Sequence, residues 1–226
     1  MARVTEAAAG AVASRLADVR RRVQEAGGDP GSVRIVAVTK GFGADTVEAA
    51  FTAGLRDVGE NYAQELVAKA AATDPPVRWH FLGPVQRNKV ATLAPLIAVW
   101  QAVDRPAAGQ AIARRIPGAR VFVQVNISRE STKHGCRLED APALVDELRT
   151  LELTVLGLMA IGPSGPPELA RPGFRAAARL ARRLGVPELS IGMTEDLEVA
   201  VQEGATMVRI GRALFGPRPG TSRLQR

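Results

Sequence analysis

Eight short runs rich in β-branched and apolar residues recur along the chain: 33–38 (VRIVAV), 57–59 (DVG), 78–83 (RWHFLG), 97–103 (IAVWQAV), 120–127 (RVFVQVNI), 154–161 (TVLGLMAI), 188–192 (ELSIG) and 206–211 (TMVRIG). Between them lie stretches whose apolar positions recur three and four apart, such as ADTVEAAFTAG, AQELVAKAAA, RPAAGQAIARRI, EDAPALVDELRTL, FRAAARLARRLG and EDLEVAVQEG. Acidic residues stand early in these stretches and glycine or basic residues late, as capping and the helix dipole favour. Strand period and helix period thus alternate from end to end, which predicts repeated βα units and a parallel sheet. Eight such units in 226 residues predict a single (β/α)8 TIM-type barrel. An open doubly wound sheet would want a glycine-rich dinucleotide fingerprint at its first crossover, and TKGFGAD is not one.

Ahead of the first strand, Val4, Ala8, Val12, Leu16, Val19 and Val23 form one stripe that stops at GGDPG, so residues 1–30 are expected to hold an extra N-terminal helix. Its AAAGAVA run is interrupted by Glu6, Arg15 and Asp18, which reads as a mature helix and not a secretion signal. The expectation is one domain over 1–226, with 218–226 a flexible tail because of its Pro, Gly and polar content.

Composition narrows the partners. No apolar stretch approaches the roughly twenty residues of a membrane helix. A single cysteine, Cys136, and two separated histidines, His80 and His134, offer neither a disulfide framework nor metal-ligand spacing, so no metal and a cytoplasmic location are expected. The net charge of +7 suits an anion, either nucleic acid or a phosphorylated small molecule. Arginines are scattered over helices and aromatics make up only 4%, which argues against nucleic acid.

In this fold chemistry sits where strands end, at the C-terminal mouth. Lys40, one of only four lysines, directly follows the apolar first strand. It can be a solvated charge, a phosphate-binding cation, or a nucleophile forming a Schiff base with a carbonyl. Its place at the end of a buried strand favours the last, since desolvation and neighbouring cations depress an amine's pKa. After strand 7, SIGMT supplies Ser190, Gly192 and a helix-capping Thr194, and after strand 8, RIGRALFG supplies Gly211 and the N–H groups of a helix start. Glycine admits phosphate oxygens close to backbone, and the loops after strands 7 and 8 are the recurrent phosphate site of the fold. A lysine and a phosphate cradle together fit pyridoxal 5′-phosphate, which is an aldehyde, a ring and a phosphate arm. Arg209 would stand beside the ring nitrogen and keep it unprotonated, which suits holding the cofactor more than carbanion chemistry.

The motifs AVTK, GENYAQE, WHFLGPVQRNK, VNISRESTKHG, GLMAIGP, LSIGMTEDLEVAV and VRIGRALFG, spread in order from about Val33 to Pro217, resemble the pyridoxal phosphate homeostasis proteins, single-domain relatives of the alanine racemase N-terminal barrel. The resemblance implies a (β/α)8 barrel that holds pyridoxal phosphate as a Schiff base on Lys40. It also implies a part in intracellular vitamin B6 homeostasis, without established catalysis. Carried over by motif, Ser190, Gly211 and Arg212 fall on phosphate-contacting positions, Asn61 near the cofactor and Arg209 by the pyridine nitrogen. Gly192, Met193 and Thr194 complete the strand-7 loop. Pyridoxal phosphate-dependent apoenzymes are the recipients implied, and a monomer is the expected state. The chain departs from many relatives at Phe42 and Gly43, where a second lysine or a proline is common, and at Arg212, where a small hydroxyl residue is common. Lys133 matches the lysine of the NIxxExxKxG run, with a secondary cofactor contact and a solvated loop lysine as its two readings.

Two enzymes compete with the holder. A racemase or decarboxylase of this type needs a further β domain with a catalytic tyrosine, and the sole tyrosine here is Tyr62. A Schiff-base aldolase would use Lys40 with a carboxylate, for which Glu60 is the nearest candidate. Neither is preferred, and no catalytic residue is assigned. His80, Trp79 and Trp100 are read as core, and Cys136 with His134 lacks the third group of a nucleophilic dyad.

Overall fold

A computed structural model describes residues 6–128 and 133–218. Eight parallel strands close in sequence order into a barrel: β1 Arg34–Val38, β2 Asp57–Glu60, β3 Arg78–Phe81, β4 Ile97–Val103, β5 Arg120–Val125, β6 Thr154–Ala160, β7 Glu188–Ser190 and β8 Met207–Ile210. Helices follow them: α2 Asp45–Thr52, α3 Ala63–Ala72, α4 Arg87–Leu93, α5 Pro106–Ala113, α6 Ala141–Thr150, α7 Arg171–Arg183, α8 Leu197–Gln202 and α9 Arg212–Phe215, with a 3₁₀ turn at Pro167–Ala170. The first strand pairs with the last, Ala37 against Ile210, so the ends of strands 1 and 8 lie side by side.

The pleat divides each strand between two cores. On β1, Ile35 and Ala37 join the large core between sheet and helices, while Val36 joins Val99, Ala102, Phe122, Met159 and Met207 inside the barrel. Both faces of a barrel strand are covered, which is why 35–38 (IVAV) reads as one continuous apolar run.

The N-terminal helix α1, Glu6–Glu25, buries Ala9, Val12, Leu16, Val19 and Val23. The stripe therefore passes through Ala9 and not the expected Ala8, and Val4 lies outside the described residues. This helix packs on α2, α8 and α9. Arg22 pairs with Glu198 at 2.6 Å and donates to the Thr194 carbonyl at 2.8 Å, and Arg15 donates to the Leu214 carbonyl at 3.3 Å. The extra helix thereby pins the loops after strands 7 and 8 from outside.

Helix α4 fills the place that eight βα units require after strand 3, but its stretch does not stand out in the sequence. It buries only Val90 and Leu93, has no acidic first turn and takes no side-chain cap, so the usual signals are missing. Strand β5 ends two residues before Ile127, because Asn126 N–H turns aside to the Cys136 carbonyl at 2.8 Å. No helix among the described residues is long and apolar enough to cross a membrane.

Candidate functional site at the barrel mouth

The wall formed by strands 1 and 2 is made of charged side chains. Lys40 stands two residues beyond β1, after a wholly buried Thr39 whose N–H continues the ladder to the Gly59 carbonyl at 3.1 Å. Gly41 then turns the chain at φ 76°, and its N–H donates to Glu65 Oε2 at 2.8 Å. Beneath this turn lies a buried ion pair between Glu60, fully enclosed at the end of β2, and Lys69 of α3. Lys69 Nζ also donates to the Thr39 carbonyl at 2.7 Å and to Glu65 Oε2 at 3.3 Å, and Thr39 Oγ1 donates to Glu60 Oε1 at 2.6 Å. The pair ties α3 to the end of β1 and so sets where Lys40 emerges. Burial pushes the Glu60 pKa up against the pull of Lys69, and Glu60 Oε2 is buried without a hydrogen-bond partner.

Lys40 is half-buried, and its pKa is lowered first by that burial, then by the positive charges of Arg218 and Arg209. Glu60 and Glu65 oppose the shift. A buried amine among cations has more of its neutral, nucleophilic form at a given pH.

The wall formed by strands 7 and 8 relies on backbone. Gly192 has φ 90°, and a Cβ there would stand 2.5 Å from Ala200 Cβ. A Cβ on Gly211 would stand 3.2 Å from the Val38 carbonyl oxygen, so glycine lets the ends of strands 1 and 8 meet. Met193 N–H donates to Asp196 Oδ1 at 2.7 Å. Thr194 does not cap α8 as expected, because that helix starts three residues later, at Leu197. Its Oγ1 instead accepts the Ala213 N–H of α9 at 3.3 Å and joins the two loops.

Lys40, Asn61, Met193, Thr194, Arg209, Gly211 and Arg212 line one cavity of about 380 Å³. Asn61 reaches it because Gly83 allows its loop to lie close, where a Cβ would fall 1.9 Å from the Asn61 carbonyl oxygen. Ser190 and Gly192 are not on the cavity wall. Ser190 faces the barrel interior, fully buried, with its Oγ donating to Gln101 Oε1 at 2.7 Å and accepting from Arg209 Nη1 at 2.8 Å. Gly192 is packed behind the loop against Ala200. Arg212 pairs with Glu195, which also lines the cavity, so its guanidinium is already engaged.

Arg209 is 4% exposed. Its Nη1 donates to the Ser190 carbonyl at 2.6 Å and to Ser190 Oγ, and its Nη2 donates to the Ala160 carbonyl at 2.8 Å. A guanidinium has five N–H bonds, so two are left over on a residue that forms part of the cavity. Burial pushes its pKa down to about 10, which leaves it charged at neutral pH.

Sequence reasoning missed Lys69, the strand-6 loop Ile161–Gly165, Glu195 and Arg218 as parts of this region. Lys69 falls three residues after buried Leu66 on α3, and a lysine on an apolar stripe was the signal available. Arg218, expected to begin a flexible tail, borders the cavity with its Cδ 3.1 Å from where a Gly41 Cβ would be, and 219–226 lie outside the described residues. Lys133 borders both this cavity and an adjoining one of about 240 Å³, whereas Arg129 to Thr132 of the same run lie outside the described residues. His80, Trp79 and Trp100 are buried core, as expected. Burial pushes the Cys136 thiol up to about 12, which leaves no thiolate at neutral pH.

The family model described as "alanine racemase, N-terminal domain" matches residues 9–219. The pyridoxal phosphate homeostasis protein of Pseudomonas aeruginosa is 43% identical over 216 residues, covering 92% of this chain and 94% of that protein. The protein of the same name from Deinococcus radiodurans is 41% identical, covering 88% and 97%. Among solved structures, PipY of Synechococcus elongatus with PLP bound superposes with a TM-score of 0.79 at 32% identity, over 91% of this chain and all of that one. Alanine racemase from Corynebacterium glutamicum, at 18% identity and a TM-score of 0.68, covers 92% of this chain but 62% of its own length and shares the barrel.

Proposed function

The chain belongs to the alanine racemase N-terminal domain family and within it to the pyridoxal phosphate homeostasis proteins, and from this premise we propose that it binds pyridoxal 5′-phosphate at the barrel mouth and holds it through a Schiff base on Lys40. The observation that carries this reading is the meeting, in one cavity, of a lysine with a lowered pKa, a buried arginine with two uncommitted N–H bonds, and the glycine-and-threonine turn of strands 7 and 8. The residues present fit the group. Lys40 supplies the amine, Thr194, Gly211 and Arg212 the polar wall for the phosphate arm, Arg209 the donor beside the ring, and Asn61 and Met193 the flanks. Positive charge from Lys40, Arg209 and Arg218 suits an anionic ligand. When bound, the cofactor supplies an aldehyde for amine capture and a ring that can act as an electron sink.

Arg209 bears on whether that sink is used. A guanidinium is a donor only, so the ring atom it faces must be an acceptor, and an unprotonated pyridine nitrogen withdraws electrons weakly. Tyr62, the chain's one tyrosine, is 61% exposed and does not border the cavity, so it offers no acid or base there. These features support a holder of the cofactor over a racemase or decarboxylase, and the proposal extends to a monomer in the cytoplasm with dependent apoenzymes as recipients.

Borohydride reduction of protein incubated with pyridoxal phosphate, followed by peptide mass spectrometry, tests the reading. A pyridoxyl group on the peptide containing Lys40, absent in Lys40→Ala, is the expected result. A protein that takes no group, or takes it equally on Lys133 or Lys89, would overturn it.

A further inference from the structure

Below the cavity, six polar side chains form an unbroken line of hydrogen bonds across the barrel, through residues of strands 8, 7, 4, 3 and 2. Arg209 Nη1 meets Ser190 Oγ at 2.8 Å, and Ser190 Oγ meets Gln101 Oε1 at 2.7 Å. Gln101 Nε2 meets His80 Nδ1 at 2.7 Å, and His80 Nε2 meets Asp57 Oδ1 at 2.9 Å. Asp57 closes the line on Arg78, Nε to Oδ1 at 2.8 Å and Nη2 to Oδ2 at 2.6 Å. Ser190, Gln101, His80, Asp57 and Arg209 are all buried, and only Arg78 reaches solvent.

The direction of every bond follows from the two ends. Asp57 accepts twice from an arginine and is therefore a carboxylate, with its pKa held well below the usual range by His80 and Arg78 against the cost of burial. A carboxylate accepts only, so His80 Nε2 carries the hydrogen. Burial favours neutral His80, which leaves Nδ1 bare. Gln101 must then present its NH₂ to Nδ1, and the other amide hydrogen finds Met207 Sδ at 3.1 Å. Its carbonyl is left for Ser190, whose hydroxyl hydrogen is spent there, and Ser190 turns its lone pairs to Arg209. Reversal of the His80 tautomer would set a bare Nε2 against the Asp57 carboxylate, and reversal of the Gln101 amide would set its carbonyl against a bare Nδ1. The charged groups acting on His80 are Asp57, Arg78 and Arg34, while Gln101 and Met207 meet the line as neutral side chains.

We propose that this line is a positioning device for the cofactor site: Asp57, His80, Gln101 and Ser190 hold Arg209 in one place and one role, as a donor whose two remaining N–H bonds select an accepting ring nitrogen. Filling a barrel with hydrogen-bonded polar groups has no advantage for packing alone, since a fully satisfied buried network contributes order and direction more than stability. The step from Arg209 to the ring rests on the function proposed above; the line itself does not.

Two measurements test it. In cofactor-free protein, the imidazole nitrogen shifts of His80 should report a protonated Nε2 and a bare Nδ1 at neutral pH. The opposite tautomer would overturn the proposal whatever the protein binds. In protein given pyridoxal phosphate, Ser190→Ala and Asp57→Asn are compared singly and together, because these two residues share no bond. Each should weaken retention of the cofactor about three- to tenfold and move its visible absorbance band, the scale of one buried hydrogen bond. The double variant should be no worse than the larger single one. Multiplying effects, or singles that match the parent while Lys40 still takes a pyridoxyl group, would sink the line alone. A parent that takes no pyridoxyl group at Lys40 would sink the function proposed above and leave the histidine result to decide the line.

Discussion

Two adjoining walls of the same mouth are built on different principles. On the side of strands 1 and 2, Lys40, Glu60, Glu65 and Lys69 bring charge into a poorly solvated place, and each charge is there because another opposes it. On the side of strands 7 and 8, Gly192, Gly211 and Thr194 shape the backbone, and the buried charges are spent largely on it, Arg209 on carbonyls and Asp196 on the Met193 N–H. A reactive amine needs an electrostatic setting, while an anion cradle needs close approach and N–H groups, so one wall depends on pairs and the other on shape.

The comparison breaks most sharply at Lys69. Lys69→Met leaves Glu60 enclosed with no cation and should cost about 3–5 kcal/mol in chemical denaturation, the usual penalty for half of a buried pair. Adding Glu60→Gln removes the orphaned charge and should restore most of the loss. A single variant as stable as the parent would mean that the first wall does not depend on the pair.

A smaller effect is expected from shape. Gly192→Ala places a side chain at φ 90° and against Ala200, and should cost about 2 kcal/mol of stability. It should weaken retention of pyridoxal phosphate while leaving the reactivity of Lys40 toward a small aldehyde lacking phosphate unchanged. Equal loss toward both aldehydes would show that the two walls are not separable. Thr194→Val, which removes the acceptor for Ala213 N–H, should act in the same direction at about 1 kcal/mol.

How much of this was legible follows the same division. The barrel was legible because each β1-type run is buried on two faces and each helix on one, and both patterns are written in consecutive residues. Lys40, Gly211 and Thr194 stand within four residues of a strand end and were found by position. Lys69 and Gln101 were not, since one lies inside a helix and the other inside an apolar strand, and only the packing of α3 on β2 and the pairing of β3 with β4 bring them against Glu60 and His80. Ser190 was assigned to the phosphate from its motif, yet it is the last residue of β7 and the pleat turns it inward to Arg209. Motifs mark loops well, but the face taken by a strand-end residue depends on register, which only the paired neighbours determine.

Arg218 crosses from one wall to the other and gives the finest test of the comparison. It follows α9 on the strand-8 side, yet it lies over Gly41 and its charge is the largest electrostatic contribution lowering the Lys40 pKa. Removing it in Arg218→Ala should raise that pKa toward the ordinary lysine value. Wherever the amine is mostly protonated, a higher pKa means less free amine and slower capture of the aldehyde. The pH–rate profile should therefore move to higher pH, and the rate at pH 7 should fall by less than about fivefold, as expected for a solvent-exposed charge. Because salt screens such a charge, the difference between parent and variant should shrink between about 0.05 and 0.5 M salt, over which the Debye length falls roughly threefold. A difference that persists at high salt would mean that Arg218 acts by covering Lys40, so that desolvation and not charge is what joins the two walls.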